Sequence, residues 1–213
     1  MQGGEGRPAL DRARAPGHIG NMLIETEPTP NPATLKFLPG EAVMSAGTRD
    51  FATPEDAEDS PLAEAIFSTG DVEGVFFGRD FISVTAAPSV EWRDLKPQIL
   101  GILLDHFSSG APLFRAGSAA GIAVAPDAQF ADRPEDSEIV AQIRELIETR
   151  VRPAVAQDGG DITFHGFERG VVYLHMQGAC AGCPSSTLTL KMGIENLLRH
   201  YIPEVTEVRP VAA

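Results

Sequence analysis

The chain has 213 residues, 43% of them hydrophobic, and a formal net charge of −13 with a pI near 4.7. This length and composition suit one large or two ordinary soluble domains, and the acidic balance argues against nucleic acid or an anionic membrane as a partner. No apolar run approaches the roughly 20 residues that cross a bilayer. Two cysteines are too few for a disulfide scaffold, so a reducing, intracellular compartment is expected.

Residues 1–21, "MQGGEGRPALDRARAPGHIGN", are predicted to form a disordered extension ahead of Met22. They lack the apolar stretch of a secretory signal. Their arginines are mixed with acids, prolines and glycines, which makes a poor amphipathic transit peptide. We therefore expect a cytoplasmic protein of the bacterial type, with the mitochondrial matrix as the alternative location.

A first α/β domain is predicted over residues 22–107. Short apolar or alternating stretches between turn residues predict strands in "MLIET", "ATLKFLPG", "VEGVFFG" and "DFISVTA". The prolines of "EPTPNP" predict a turn between the first two strands. Helices are expected in "LAEAIFS" and in "SVEWRDLKPQILGILLDHF". In the longer helix, apolar residues recur on one face: Trp92, Leu95, Ile99, Leu103 and Phe107.

Residues 108–134 are rich in Gly, Ala, Ser and Pro without a sustained period, which predicts a flexible linker whose Leu113 and Phe114 are available to dock. A second domain over 135–213 is predicted to run helix, strand, strand, cysteine pair, helix, strand. The overall expectation is an α/β (α+β) protein with two small domains joined by that linker.

The stretch "GACAGCPSST" holds both cysteines, Cys180 and Cys183, between the end of a strand and the start of a helix with Pro184 at its first position. The unpaired N–H groups of a helix N-terminus stabilise nearby negative charge, so the thiol pKa values are expected to fall. The small residues around the pair predict that both sulfurs are accessible.

Several chemistries fit a CxxC pair. A structural zinc site needs four ligands, and the histidines at 165, 175 and 200 lack metal-ligand spacing, so zinc within one chain is not favoured. A zinc-bridged structural dimer is the form of this alternative that stays open. A thioredoxin-like dithiol–disulfide oxidoreductase fits the strand–helix junction, but the pair follows a hairpin and not a βαβ crossover. Iron–sulfur clusters are generally held by four thiolates. Two copies around a two-fold axis would supply four, and such a junction suits a carrier of labile clusters more than an enzyme.

Longer stretches of the sequence resemble a known family. The segment "DGGDITFHGFERGVVYLHMQGACAGCPSSTLTLKMGIENLLRHYIPEV" resembles the NifU-like C-terminal domain of Nfu-type iron–sulfur scaffold proteins. Upstream, "IETEPTPNPATLKFLPG", "VFFGRDFISVT" and "WRDLKPQIL" look like the Nfu N-terminal domain. Both resemblances occur in the order that the family shows.

The resemblance implies a non-enzymatic scaffold or carrier. Cys180 and Cys183 occupy the family's ligand positions for a cluster that bridges two protomers, usually 4Fe-4S, with 2Fe-2S as the other option. It implies apo iron–sulfur proteins as recipients, upstream assembly proteins as donors, and an N-terminal domain that recognises one or the other. Structural roles are expected for the "EPTPNP" turn, for Trp92, and for the turn and cap residues at 159–161.

Overall fold

The structure is a computed structural model that describes residues 23–117, 136–181 and 184–211. It contains two β-sheets, each with helices on one face, which confirms the mixed α/β expectation. The predicted extension 1–21 and the linker from residue 118 onward lie outside the described residues. Within the described ranges, no helix is both long enough and apolar enough to cross a bilayer.

The first sheet is antiparallel throughout, with the strand order β1-β2-β5-β4-β3. Its strands are β1 Glu25–Pro28, β2 Thr34–Leu38, β3 Arg49–Phe51, β4 Val72–Phe77 and β5 Ile82–Ala86. Helices α1 Pro61–Phe67 and α2 Trp92–Ser109 cover one face and enclose the first core. In α2, Leu95, Ile99 and Leu103 are fully buried, as the helical spacing predicted, and Trp92 packs beside them.

Local sequence explains where these elements begin. The hydroxyl of Ser60 accepts a hydrogen bond from the N–H of Ala63, and Pro61 occupies the first position of α1. The same hydroxyl donates to the carbonyl of Leu113 at 2.7 Å. Leu113 and Phe114 both pack against the first core, so the start of the predicted linker is docked onto this domain.

Two features of the first domain were not predicted. Strand β3 has only three residues, of which Phe51 alone is apolar, and a 3-10 turn follows at Asp56–Asp59 within the acidic stretch. The first strand was expected at 22–26 but runs to Pro28. An edge strand tolerates proline because one side of its backbone needs no partner.

The second sheet has the order β6-β7-β8. Strand β6 Gly160–Glu168 pairs antiparallel with β7 Val171–Gly178, and β8 Glu207–Val211 lies parallel to β7. The final strand therefore starts later than the predicted 204–208, because Val205 is buried in the preceding turn.

Helices cover one face of this sheet. Helix α3 Ser137–Leu146 continues through a π turn, Ile147–Val151, into α4 Arg152–Gln157. The predicted helix is therefore continuous, with one π-helical turn in its middle. Helix α5 Pro184–Tyr201 lies beside it. Buried apolar side chains from all of these elements form a second core.

The face of the first sheet that points away from its helices carries one row of neighbouring residues. Paired positions run from Asp50 to Phe76, from Phe76 to Ser83, and from Ser83 to Lys36. We call these four residues the cross-strand row. Phe76, Ser83 and Lys36 are buried although they do not belong to the first core, because the second sheet packs against this side.

Candidate functional site

Cys180 lies just beyond the end of β7 and is only 5% exposed. Its sulfur faces Gly160, the first residue of β6. A Cβ added at Gly160 would lie 2.6 Å from the Cys180 Sγ and 2.6 Å from the Gln177 carbonyl oxygen. The cysteine therefore occupies the space that any larger residue at position 160 would need.

Hydrogen bonds hold residues 179–181, which are the described part of the cysteine loop. Gly178 adopts a positive φ of 62°, which lets the chain turn out of β7. The N–H of Ala179 then donates to the carbonyl of Gly159 at 3.1 Å. From the first turn of α5, the Thr187 hydroxyl donates to the Cys180 carbonyl at 3.1 Å. The loop is thus tied to the neighbouring turn and to the helix that follows.

The second predicted ligand, Cys183, lies outside the described residues. Helix α5 begins at Pro184, as the sequence predicted. The pairing of Cys180 with Cys183 as ligands stays a prediction. No group of three or more His, Cys, Asp or Glu side chains within the described ranges is arranged to hold a metal.

The expectation of an accessible, acidic thiol is wrong for Cys180. Burial raises the pKa of the Cys180 thiol to about 12, and the charges of Asp158 and Asp161 add to that rise. The small residues around the pair do not open a path to solvent here, because the side chain turns inward onto Gly160. The described conformation therefore holds a protonated, sheltered thiol.

Asp161 has a larger role than the turn or cap residue that was expected. It is buried in β6 and its carboxylate accepts hydrogen bonds from Arg152 at 2.8 and 2.7 Å. The Thr48 hydroxyl and the N–H of Ile162 each donate to it at 2.8 Å. The hydrogen bond to Asp161 raises the pKa of Arg152 well above its usual range. This ion pair fixes α4 against β6 next to Gly160.

The first domain contacts the main chain next to Cys180. The Ser83 hydroxyl donates to the Gly159 carbonyl at 2.6 Å, and the Lys36 ammonium donates to the Gln157 carbonyl at 3.2 Å. The Asp50 carboxylate accepts from the Gly178 N–H at 3.3 Å. Each of these side chains belongs to the cross-strand row, and each bonds a main-chain atom of the second domain. No local sequence pattern indicates this set, because its residues come from separate strands.

The ionised form of Asp50 is disfavoured by its burial in this contact. Burial raises the pKa of its carboxyl from 3.8 to about 6, although the hydrogen bond from Gly178 opposes the shift. The nearby charge of Asp56 raises the pKa further. An ionised Asp50 therefore weakens the native state near neutral pH.

The "EPTPNP" turn also reaches the cysteine loop. Asn31 is 5% exposed, and its side-chain oxygen accepts from the N–H of Ala33 at 3.1 Å, which is the structural role that was expected. Its amide nitrogen also approaches the carbonyl of Ala181, inside the CxxC, at 3.5 Å. The turn thus contacts the predicted cluster site directly.

An apolar groove of about 570 Å³ runs between the π turn, α4 and α5 and ends at Cys180. Its lining includes Pro30 from the first domain and, from the second, Val151, Val155, Leu190, Ile194 and Leu197. On the same helix α5, Leu188 and Met192 are exposed. Cys180 is one of the residues that line this groove, on the helical side of the domain, but its side chain stays buried.

None of the described histidines lines the groove beside Cys180. His165 and His175 lie together on neighbouring strands, both buried, with ring centroids 5.6 Å apart. Burial and the neighbouring His165 lower the pKa of His175. His200 packs edge-on against Tyr201 at the far end of α5.

Comparison with known proteins gives two family matches in this order along the chain. Residues 24–110 match the model described as "Scaffold protein Nfu/NifU N terminal", and residues 143–209 match the NifU-like domain. NifU-like protein 4, mitochondrial, of Arabidopsis thaliana is 51% identical over 194 residues, covering 90% of this chain and 67% of that protein. The chain belongs to the Nfu/NifU-like family. The Homo sapiens NFU1 iron-sulfur cluster scaffold homolog, mitochondrial, is 48% identical over 191 residues, covering 89% of this chain and 72% of that protein.

Membership in the Nfu/NifU-like family confirms the resemblance on which the cysteine assignment was based. The two matched regions fall on the first and second sheets respectively. The domain boundaries at 22–107 and 135–213 stay predictions, as do the ligand roles of the two cysteines.

Proposed function

We propose that this protein is a non-enzymatic scaffold and carrier of iron–sulfur clusters. The supporting observation is that relatives sharing about half of its residues along most of its length are named as NifU-like proteins or iron–sulfur cluster scaffolds. Cys180 lies within the matched NifU-like domain, between the end of β7 and the start of α5. Thiolates are the usual ligands of such clusters.

In this proposal Cys180 and Cys183 of two copies hold one cluster, most simply 4Fe-4S with 2Fe-2S as the other option. Four thiolates complete the usual ligand set, and one chain has two cysteines. During delivery each iron–thiolate bond to the carrier is replaced by a bond to a cysteine of the recipient, so no net oxidation or reduction is needed. Recipients are apo iron–sulfur proteins, and upstream assembly proteins supply the cluster.

The relatives also bear on location. Those named here are mitochondrial, which supports the mitochondrial matrix, the alternative given by the sequence analysis. The cytoplasmic location that was preferred there has no support.

Cys180 does not have the properties that the oxidoreductase alternative needs in its nucleophile. A dithiol–disulfide exchange enzyme needs an accessible thiolate as nucleophile. Cys180 is buried, and its thiol pKa is raised to about 12. A carrier tolerates such a resting state, because metal binding itself displaces the thiol proton.

Anaerobic reconstitution with ferrous iron and sulfide tests the proposal. We expect the wild-type protein to bind iron and sulfide with visible absorption, and Cys180→Ala and Cys183→Ala each to lose it while remaining folded. His200→Ala, which alters a histidine far along α5, serves as the control and is expected to bind normally. Retention of the cluster in either cysteine variant would contradict the assignment, and stoichiometric zinc without iron would favour the zinc-bridged dimer.

A further inference from the structure

The cross-strand row contacts main-chain atoms close to Cys180. Ser83 holds the carbonyl of Gly159, next to the glycine against which the sulfur rests. Asp50 holds the N–H of Gly178, two residues before Cys180. Because these bonds go to the backbone, they constrain the path of the chain and not merely one side chain.

The contact continues beyond the cysteine. The amide of Asn31 approaches the carbonyl of Ala181 at 3.5 Å, and Pro30 borders the groove that ends at Cys180. The first domain thus holds an N–H group at one end of the stretch 178–181 and a carbonyl group at its other end. A change in the path of this stretch, which would turn the sulfur away from Gly160 toward a bound cluster, breaks these contacts.

The face of the second sheet that points away from its own helices is polar. Its buried polar residues outside the second core are Asp161, which bonds Thr48 of the first domain, and His165, His175 and Gln177. Neither ring nitrogen of His165 has a hydrogen-bond partner among the described residues, and the same holds for the Thr163 hydroxyl. Buried polar groups without partners cost free energy, and polar interfaces between domains commonly open and close.

We propose that the first domain is a reversible cap that locks the cysteine loop with Cys180 turned inward. The cross-strand row holds the main chain at Gln157, Gly159 and Gly178, and Asn31 holds it at Ala181. Release of the cap frees residues 179–181 to move when the cargo binds. This role rests on the proposed carrier function, because it regulates access to the same cysteine. It also gives the "EPTPNP" turn a second task besides connecting two strands.

The test is the rate at which iodoacetamide alkylates Cys180 in the full-length apo protein at pH 8, measured by peptide mass spectrometry. Ser83→Arg places a long side chain on the outer face of β5, where only the second domain is in its way, since Ser83 is 1% exposed. Glu73→Arg adds the same side chain at an exposed position of β4 and is the matched control. We expect alkylation of Cys180 to be about tenfold faster in Ser83→Arg, which corresponds to about 1.4 kcal/mol of lost docking.

A second, smaller substitution keeps the proposal testable if Ser83→Arg does not fold. Ser83→Ala removes the bond to Gly159 without adding bulk, and it is expected to raise the alkylation rate by a smaller factor. Small-angle X-ray scattering should show a larger radius of gyration for Ser83→Arg than for wild type and Glu73→Arg. Unchanged alkylation in both Ser83 variants would overturn the cap, as would a wild-type protein already as extended as Ser83→Arg.

Failure of the cap and failure of the carrier function give different results. Alkylation and scattering use the apo protein, so they do not depend on cluster binding. Wild-type protein that takes up iron and sulfide, with alkylation unaffected by both Ser83 variants, would overturn only the cap. Faster alkylation in these variants, with no cluster uptake by any form, would overturn the carrier function and leave the cap standing.

Discussion

Arg152 and Asp161 form a bidentate ion pair, Nε to Oδ1 at 2.8 Å and Nη2 to Oδ2 at 2.7 Å, that joins α4 to β6. The remaining hydrogen bonds to the carboxylate come from Thr48 of the first domain and from the N–H of Ile162. Because Asp161 follows Gly160 directly, the pair also sets the wall against which the Cys180 sulfur rests.

Removal of the cation should be strongly destabilising. Arg152→Ala leaves the buried Asp161 carboxylate without its counter-charge, and losing one partner of a buried pair costs about 3–5 kcal/mol. We expect a loss of this size in the free energy of unfolding, measured with urea at pH 7.5. Arg150→Ala, at an exposed position in the same π turn, should cost far less. Equal effects of the two substitutions would show that the ion pair contributes little.

Asp50 makes the stability depend on pH in a defined direction. Its pKa is 3.8 when unperturbed and about 6 in the native protein, so the native state binds the proton more tightly. The stabilisation by the protonated form is present at low pH and is lost as the pH rises through about 6.

The substitution Asp50→Asn removes this titration and keeps an acceptor for the Gly178 N–H. At pH 7.5 we expect it to raise the free energy of unfolding by about 1–3 kcal/mol, and the gain should shrink toward zero near pH 4. Urea unfolding at several pH values measures the gain at pH 7.5 and its decrease toward pH 4. Asp80→Asn, at an exposed position, is the control. A gain independent of pH, or a loss at pH 7.5, is the outcome that contradicts this account.

A larger residue at position 160 should lower the stability of the protein, because Cys180 packs against this glycine. Gly160→Ala brings a Cβ to 2.6 Å from both the Cys180 Sγ and the Gln177 carbonyl oxygen, and such overpacking costs about 1–3 kcal/mol. Gly101→Ala is the contrasting variant, because a Cβ at Gly101 in α2 meets nothing within 4 Å. That change should stabilise the protein by about 0.5–1 kcal/mol through helix propensity. Thermal unfolding of the two variants distinguishes them, and a stable Gly160→Ala protein would refute the close packing.

The sequence predicted most helices and strands because their patterns are local. The stripe Leu95, Ile99 and Leu103 and the start of α5 at Pro184 follow from spacing and capping chemistry within one segment. Strand β3 escaped prediction, because three residues with one apolar side chain have no periodicity to detect.

The surroundings of Cys180 were less predictable, because they depend on contacts between distant segments. Helix placement alone indicates a lowered thiol pKa, but the inward turn onto Gly160 and the charge of Asp158 reverse the direction. Ser83 lies 76 positions from its partner Gly159. Nothing in the local sequence of either residue indicates that contact.

Native mass spectrometry of the anaerobically reconstituted protein tests the central claim most directly. The account predicts a dimer whose excess mass equals one iron–sulfur cluster, which disappears in Cys180→Ala. A monomer that binds no iron and instead forms a reversible disulfide between Cys180 and Cys183 would contradict it.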